Sequence, residues 1–253
     1  KNPIQVAERL FQVIERLAEN GPMGIMDLSA ELGFHKSTTH RLVTSLQYMG
    51  YIRQDEESLK YALSLKFLEI GSKILEQTNM ASLIHPSLKK LSEQTGETVH
   101  LVRREGTEAV YIDKVESTVS SIRMVSRVGS RIPLYCSGVG KALLAELPDP
   151  EIEDIWNSSE ITSLTPYTVT SLSDLMDRIR GGREAGYAMD DEENEEGVRC
   201  IAVSIPDYHK EPVYALSISA PVSRMTDARI AELSTDVLTF KKDLEKTLGF
   251  SRS

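Results

Sequence analysis

The sequence predicts an α+β protein with a small N-terminal winged helix-turn-helix domain and a larger α+β domain after it. Residues 1–63 carry three short helical patterns followed by two short β segments around a polar turn, a combination typical of a winged helix. A further helical segment, residues 64–80, links this domain to residues 81–253. There, strand and helix patterns are mixed, which predicts an α+β domain with a mostly antiparallel sheet.

The composition excludes several classes of protein. The chain has 253 residues, enough for two domains, and 29 Lys and Arg against 38 Asp and Glu give a net charge of −9. The apolar fraction of 40% is that of a globular protein, and no apolar run is long enough for a membrane helix or a secretory leader. Two cysteines are too few for a disulfide framework or a zinc cage. We therefore expect a cytoplasmic protein without metal or cofactor.

Three helices are predicted in the first domain. Residues 4–19 place apolar side chains at helical spacing, and Asn20-Gly21-Pro22 ends the helix. Gly24 is the N-cap of a short second helix that ends at Leu32. After a turn, a third helix spans residues 36–49. Two short β segments at residues 51–53 and 60–63 then flank an acidic turn and predict the hairpin that forms the wing.

The third helix has two different faces. One is largely apolar, and the other carries small hydroxyl groups and Arg41. An acidic protein would be expected to place acids on a merely solvated face, yet no acid occurs from Leu32 to Gln54. A face of this kind suits a DNA major groove, where arginine reads guanine or binds phosphate. The predicted DNA-binding residues are Lys36, Ser37, Thr38, His40, Arg41, Ser45 and Arg53.

The first domain resembles the DNA-binding domain of the IclR family of bacterial transcription regulators. The residues that carry the resemblance are Gly24-Ile25-Met26-Asp27-Leu28-Ser29-Ala30-Glu31-Leu32-Gly33, Lys36-Ser37-Thr38-Thr39-His40-Arg41-Leu42, Leu46 and Gly50-Tyr51-Ile52. The sequence departs from the family pattern at two positions: His35 replaces the usual Ser or Pro, and Thr39 replaces an apolar residue. The resemblance implies operator DNA as a partner, and assembly into homodimers or homotetramers.

The second domain is predicted to contain both element types in mixed order. Helices are expected at residues 65–77, 82–94, 138–145, 149–156, 171–184 and 226–248, and strands at 98–103, 109–115, 121–125, 198–205 and 213–220. Gly129 to Pro133 is expected to form a loop.

Two glycines open the helix at residue 138 in the segment Gly138-Val139-Gly140-Lys141. The segment is not a phosphate-binding P-loop, because the residue after the lysine is alanine and the first glycine of that motif is missing. Glycines at a helix start leave backbone N–H groups available to an anion, but close backbone packing explains them equally well.

Three other features could carry chemistry. Residues 190–196 contain six acids, a solvated loop in the usual case and a metal cluster in the rarer one, although calcium-loop spacing is absent. Cys200 follows on a strand, where a lone cysteine is most often a small buried apolar residue. Ser217 and Ser219 alternate with apolar residues, so both hydroxyls face one side of a strand.

The second domain resembles the effector-binding, GAF-like domain of the same family. The matching motifs are Arg127-Val128-Gly129, Pro133-Leu134-Tyr135, Ser137-Gly138-Val139-Gly140-Lys141-Ala142 and Gly197-Val198-Arg199-Cys200, and the region is similar to the ketodeoxygluconate-repressor type. The resemblance implies that a small keto or sugar acid is the effector. Its pocket would be formed by Met124, Gly138, Val139, Asp190, Cys200, Ser217 and Ser219. The residue types agree with this: a ligand carboxylate would accept hydrogen bonds from the N–H groups at the start of the 138 helix and from the serines, and Asp190 would accept one from a ligand hydroxyl or water.

Two other classes of function compete with a regulator. A hydrolase could use Cys200 as nucleophile, or an enzyme could bind metal through residues 190–196, but none of the five histidines has a recognisable spacing to Cys200. An acidic neighbourhood also disfavours a thiolate. A pure protein-interaction module would leave the acid-free helix face unexplained. We therefore expect no catalytic residues.

Overall fold

The computed structural model describes residues 3–77, 80–117, 126–207 and 209–248, and the chain forms two compact units, Lys1–Asn79 and Met80–Ser253. The predicted strand at 121–125 lies outside the described residues. The elements are α1 Gln5–Asn20, α2 Ile25–Leu32, α3 Lys36–Tyr48, β1 Ile52–Gln54, β2 Tyr61–Leu63, α4 Lys66–Gln77, α5 Met80–Thr95, β3 Thr98–Glu105, β4 Glu108–Val115, β5 Arg131–Pro133, α6 Gly138–Ala145, α7 Asp149–Asn157, α8 Leu172–Ala185, β6 Ala188–Asp191, β7 Val198–Ile205, β8 Tyr214–Pro221 and α9 Asp227–Thr247.

The first unit has the predicted order of three helices, a β-hairpin and a further helix, with bounds within one residue of those expected. Helices α1, α2 and α3 bury one apolar stripe each, including Val13, Leu28 and Val43, in a single core. Gly33 ends α2 in the left-handed conformation (φ 64°), which glycine adopts at low cost, and so permits the tight turn into α3.

The second unit is built on one six-stranded antiparallel sheet in the order β5-β4-β3-β8-β7-β6. Helices α6, α7 and α8 cover one face, and α5 and α9 cover the other. Alternation along the strands sets this division: Ile201 and Val203 of β7 pack with α5 and α9, whereas Ala202 packs with α6. The α+β class predicted from the sequence is confirmed.

Two edge strands correct the sequence-based assignment. Residues 131–133, expected in a loop, form β5 and pair with Glu108–Val110 of β4. Residues 188–191 form β6, which pairs with Arg199–Ala202 of β7. Both strands are short, β5 ends in proline and β6 in two aspartates, and these residues are poor strand formers that edges tolerate.

In the described part of the chain, none of the helices combines the length and the apolar character that crossing a membrane requires.

Candidate functional site

Helix α3 packs against its own unit through one face only. Thr39, Leu42, Val43 and Leu46 are buried. Thr39, which stands where an apolar residue was expected, is fully buried and donates its hydroxyl hydrogen bond to the His35 carbonyl at 3.3 Å. The buried hydroxyl is therefore satisfied within the helix, so the departure from the family pattern does not disturb the packing.

The opposite face of α3 is open to solvent. All seven residues predicted to bind DNA are accessible: Lys36, Ser37, His40, Arg41 and Ser45 on α3 and Arg53 on β1 are exposed, and Thr38 is half-buried. No carboxylate of the described residues forms an ion pair with Lys36 or Arg41. Both cations are therefore available to phosphate or to a base edge.

The second unit contains a cavity that brings together residues from seven elements and the loops beside them. Six of the seven residues predicted for an effector line it, namely Gly138, Val139, Asp190, Cys200, Ser217 and Ser219. The seventh, Met124, lies outside the described residues. The space that water centres can reach is about 30 Å³, enough for about two waters.

The first turn of α6 supplies two hydrogen-bond donors to this cavity. The Ser137 hydroxyl caps the helix by accepting a hydrogen bond from Gly140 N at 3.1 Å and donates to the Pro133 carbonyl at 2.6 Å. The N–H groups of Gly138 and Val139 have no acceptor in the described part of the chain. Free N–H groups at a helix start are suited to an anion.

The two glycines of α6 have different roles. A Cβ on Gly138 would meet Asp190 N at 3.4 Å, an ordinary contact, so Gly138 brings α6 close to the strand that carries Asp190. A Cβ on Gly140 would lie 2.2 Å from the Leu134 carbonyl oxygen and 2.3 Å from its Cα. Both interpretations of this segment thus find support, since Gly140 serves close packing and Gly138 lines the cavity.

Asp190 lies at the end of β6 and is 3% exposed. Its Oδ1 accepts hydrogen bonds from Glu193 N at 2.8 Å and Asn194 N at 3.3 Å. Burial raises the pKa of this carboxyl to about 7, against the lowering effect of Lys141. Its Oδ2 has no protein donor among the described residues.

Part of the acidic run, residues 190–196, is buried and hydrogen-bonded, which corrects its interpretation as a solvated loop. Glu193 is 1% exposed and its carboxylate pairs with the fully buried ammonium of Lys141. Thr165 donates to the Glu192 carbonyl at 2.6 Å and Thr168 to the Glu193 carbonyl at 2.7 Å. The run is therefore held against α6 and the segment before α8. Within the described residues, no group of three His, Cys, Asp or Glu side chains is arranged to hold a metal ion.

The serines of β8 lie beside a histidine that no local pattern in the sequence singles out. As predicted, Ser217 and Ser219 share one strand face, with Leu216, Ile218 and Ala220 on the other. His100 of β3 pairs with Ser217, and its Nδ1 lies 3.4 Å from the Ser217 hydroxyl and 3.3 Å from that of Ser219.

His100 is held from its other side as well, since its Nε2 lies 2.8 Å from the Ser126 hydroxyl. Burial, and secondarily Lys114, lowers the pKa of this imidazole to about 3, so the ring is neutral at physiological pH. Tyr111, which packs edge-on to the His100 ring, and the acidic-turn residues Asn194 and Glu195 also line the cavity and were missed by sequence reasoning.

Cys200 also borders the cavity, opposite Ser219 in the sheet. Burial, and secondarily the Asp190 charge, raises the pKa of its thiol. The hydrogen bonds of the His100 ring go to serine hydroxyls rather than to the thiol. Cys200 is therefore held as a neutral thiol, not as an activated nucleophile.

Comparison with known proteins matches both units. The model of the IclR helix-turn-helix domain matches residues 6–56, and that of the C-terminal domain of bacterial IclR transcriptional regulators matches residues 72–245. The acetate operon repressor of Salmonella typhimurium is 36% identical over 252 residues, covering 98% of this chain and 92% of that protein. The transcriptional regulator KdgR of Escherichia coli is 34% identical over 252 residues, covering 99% and 95%.

Two solved structures match the fold of this chain over 97% or more of its length. The IclR protein of Thermotoga maritima superposes with a TM-score of 0.65 at 31% identity, covering 97% of this chain and 99% of that one. The repressor BlcR of Agobacterium tumefaciens gives 0.77 at 25% identity, covering all of both chains.

Proposed function

The chain belongs to the IclR family of bacterial transcriptional regulators, and we propose that a small organic acid, bound in the cavity of its second unit, modulates the binding of its first unit to operator DNA. The resemblance recognised in the sequence is thereby confirmed, and the chain is a DNA-binding regulator. KdgR is among its relatives, together with other repressors of similar identity. As several relatives are repressors by name, repression is the proposed direction.

The exposed face of α3 is the observation that carries the DNA-binding half of the proposal. It presents small hydroxyl groups and the cations Lys36 and Arg41, which have no ion-pair partner among the described residues, on a helix whose other face is buried. One such helix makes too few contacts for a specific site, so the proposed form on DNA is a homodimer or homotetramer. Exposed Phe11 on α1 and Leu68 on α4 are apolar surface that a second copy could cover.

The cavity carries the effector half of the proposal. A ligand carboxylate would accept hydrogen bonds from the free N–H groups of Gly138 and Val139. An oxo or hydroxyl group of the ligand would meet Ser217, Ser219 and Asp190. Ligand affinity that differs between two arrangements of the units shifts DNA affinity by the same coupling free energy.

An enzyme is the rival function, and the acetate operon repressor and KdgR, both regulators by name, argue against it. As a regulator of bacterial transcription the protein would act in the cytoplasm, where its two free cysteines stay reduced. A gel shift with the upstream intergenic DNA, repeated with a panel of small acids, tests the proposal. Turnover of those acids without any effect on DNA binding would favour the enzyme.

Replacing Arg41 by alanine should weaken operator binding by about 1–3 kcal/mol, because a base-edge or phosphate contact is lost. Effector affinity should not change. Arg16→Ala is the matched control, because Arg16 is already paired with Glu19 and Glu31. Fluorescence anisotropy on labelled operator measures both variants, and equal affinity of Arg41→Ala and parent would refute the role of this helix face.

Replacing Ser219 by alanine should reduce effector affinity by about 0.5–3 kcal/mol, since a donor at the cavity wall is removed. Ser204→Ala is the matched control: Ser204 is equally buried on the neighbouring strand but donates to Glu146 at 2.6 Å, away from the cavity. Calorimetric titration with the acid that binds the parent measures the effector affinity of both variants, and Ser204→Ala should keep the affinity of the parent. Unchanged affinity in Ser219→Ala would remove this residue from the site.

A further inference from the structure

The cavity that would receive an anionic ligand has acidic walls. Of the described residues that line it, Asp190 and Glu195 are acids and none is a lysine or an arginine. Two cations lie near it: Lys141, whose ammonium is paired with the carboxylate of Glu193, and Lys114, whose ammonium donates to the Ser126 carbonyl and pairs with Glu116. Each ammonium already has an acidic partner, so it offsets the charge of Asp190 only in part when a carboxylate enters.

The two oxygens of Asp190 are in different environments. Oδ1 is occupied by the backbone N–H groups of Glu193 and Asn194. Oδ2 accepts no hydrogen bond from the described residues, and the side chain lines the cavity between Gly138 and Cys200. A proton on Asp190 would therefore sit on Oδ2 and convert an anion into a hydrogen-bond donor that faces the ligand.

We propose that an acid effector binds together with one proton, which Asp190 takes up from solvent on Oδ2 and donates as a hydrogen bond to the ligand. This rests on the proposed function, because it requires the effector to bind in this cavity. The neutral carboxyl is then a donor, in contrast to the acceptor role predicted from the residue types in the sequence. Effector binding, and through it the affinity for operator DNA, becomes sensitive to pH around neutrality.

The surroundings of Asp190 identify it as the group that takes up the proton. The titratable and charged groups around it are Lys141 on α6, Cys136 ahead of α6, Glu193 and Glu195 in the turn, Cys200 on β7 and Tyr111 on β4. Burial raises the pKa of both thiols and of the Tyr111 hydroxyl, so these are neutral near pH 7. His100 is neutral there too, whereas burial raises the pKa of Asp190 to about 7.

The sign of the effect follows from linkage. Above pH 7 the free protein holds Asp190 ionised, so binding must first add the proton, and affinity is lost as pH rises. We expect the dissociation constant to increase about 10-fold per pH unit above 7, or about 30-fold between pH 6 and 8.5. Below pH 6 the carboxyl is already neutral and the affinity should level off.

Calorimetry on the full chain tests this with two small, fully ionised probes, 2-oxobutyrate and lactate. Titrations at pH 8 in phosphate and in Tris, whose ionisation enthalpies differ, count the protons taken up on binding. We expect about one proton per site for each acid that binds. Binding with no proton uptake and a flat pH profile would overturn the inference while leaving the proposed function intact. Binding of neither acid at any pH would overturn both.

Variants assign the proton to one residue. Asp190→Asn carries an amide donor in place of the protonated oxygen, so it should bind with no proton uptake and an affinity independent of pH. Asp191→Asn is the matched control, because Asp191 follows on the same strand, is exposed and pairs with Arg199 at 2.7 Å. It should keep the parent's uptake, as should Glu195→Gln. Loss of the proton uptake in Glu195→Gln would overturn the assignment to Asp190. If Asp190→Asn does not fold, the number of protons that the parent takes up on binding decides the proposal.

Discussion

Replacing Lys141 by methionine is expected to destabilise the second unit by about 3–5 kcal/mol, because it leaves the Glu193 carboxylate buried without its cation. Lys141 and Glu193 are each 1% exposed, and Glu193 Oε2 has no hydrogen-bond partner within the described residues. Little water can therefore replace the lost ammonium. Denaturant unfolding followed by circular dichroism measures the change in the free energy of unfolding.

Two further variants separate the pair from a general effect of losing a lysine. Lys89→Met removes the exposed partner of Glu93, 3.9 Å away on α5, and should change stability by less than about 1 kcal/mol. The double variant Lys141→Met with Glu193→Met removes both charges and should recover much of the loss. A double variant no more stable than Lys141→Met alone would show that the cost comes from packing and not from the unpaired charge.

Replacing Gly140 by alanine should cost about 3 kcal/mol or more and could prevent the second unit from folding. The added Cβ would overlap the Leu134 backbone, with 2.2 Å to its oxygen, and a backbone atom cannot rotate away as a side-chain end can. Thermal unfolding measures the effect in the full chain. A melting temperature equal to that of the parent would mean that α6 is free to move away from residue 134.

Gly181→Ala is the control for a glycine-to-alanine change in a helix. Gly181 lies in α8 with nothing within 4 Å of an added Cβ, so alanine there should stabilise the protein by about 0.5–1 kcal/mol. The same substitution at two helical glycines is thus expected to change stability in opposite directions. A loss of stability in Gly181→Ala would indicate a helix effect common to both sites rather than the contact with Leu134.

The short edge strands show where sequence reasoning reached its limit. Most helices and strands carry their own periodicity, so their existence and bounds could be predicted within about two residues. β5 and β6 have only three and four residues, and their proline and aspartates are typical of loops. They are strands because β4 and β7 offer an open edge to pair with. That partner is distant in sequence and invisible to a local pattern.

The acidic run shows the same limit for charges. Six acids in seven residues predict solvation, and solvation is the usual outcome. Asp190 and Glu193 are nevertheless buried, since backbone N–H groups, two threonines and Lys141 satisfy this turn from other parts of the chain. Nothing within the run itself distinguishes these two acids from their exposed neighbours.

By itself, the sequence determined the features that depend on local periodicity and residue type: the two faces of α3, the helix that Gly138 opens, and the shared face of Ser217 and Ser219. Only the tertiary structure decided which residues meet. The pairing of β3 with β8 places His100 beside the two serines, and the seating of α6 on the sheet presses Gly140 against Leu134 and buries Lys141 with Glu193, 52 residues away. The physical reason is that the position of a residue along its helix or strand sets the direction in which its side chain points. Its neighbours, and with them its charge state, are set by sheet register and helix packing over long separations.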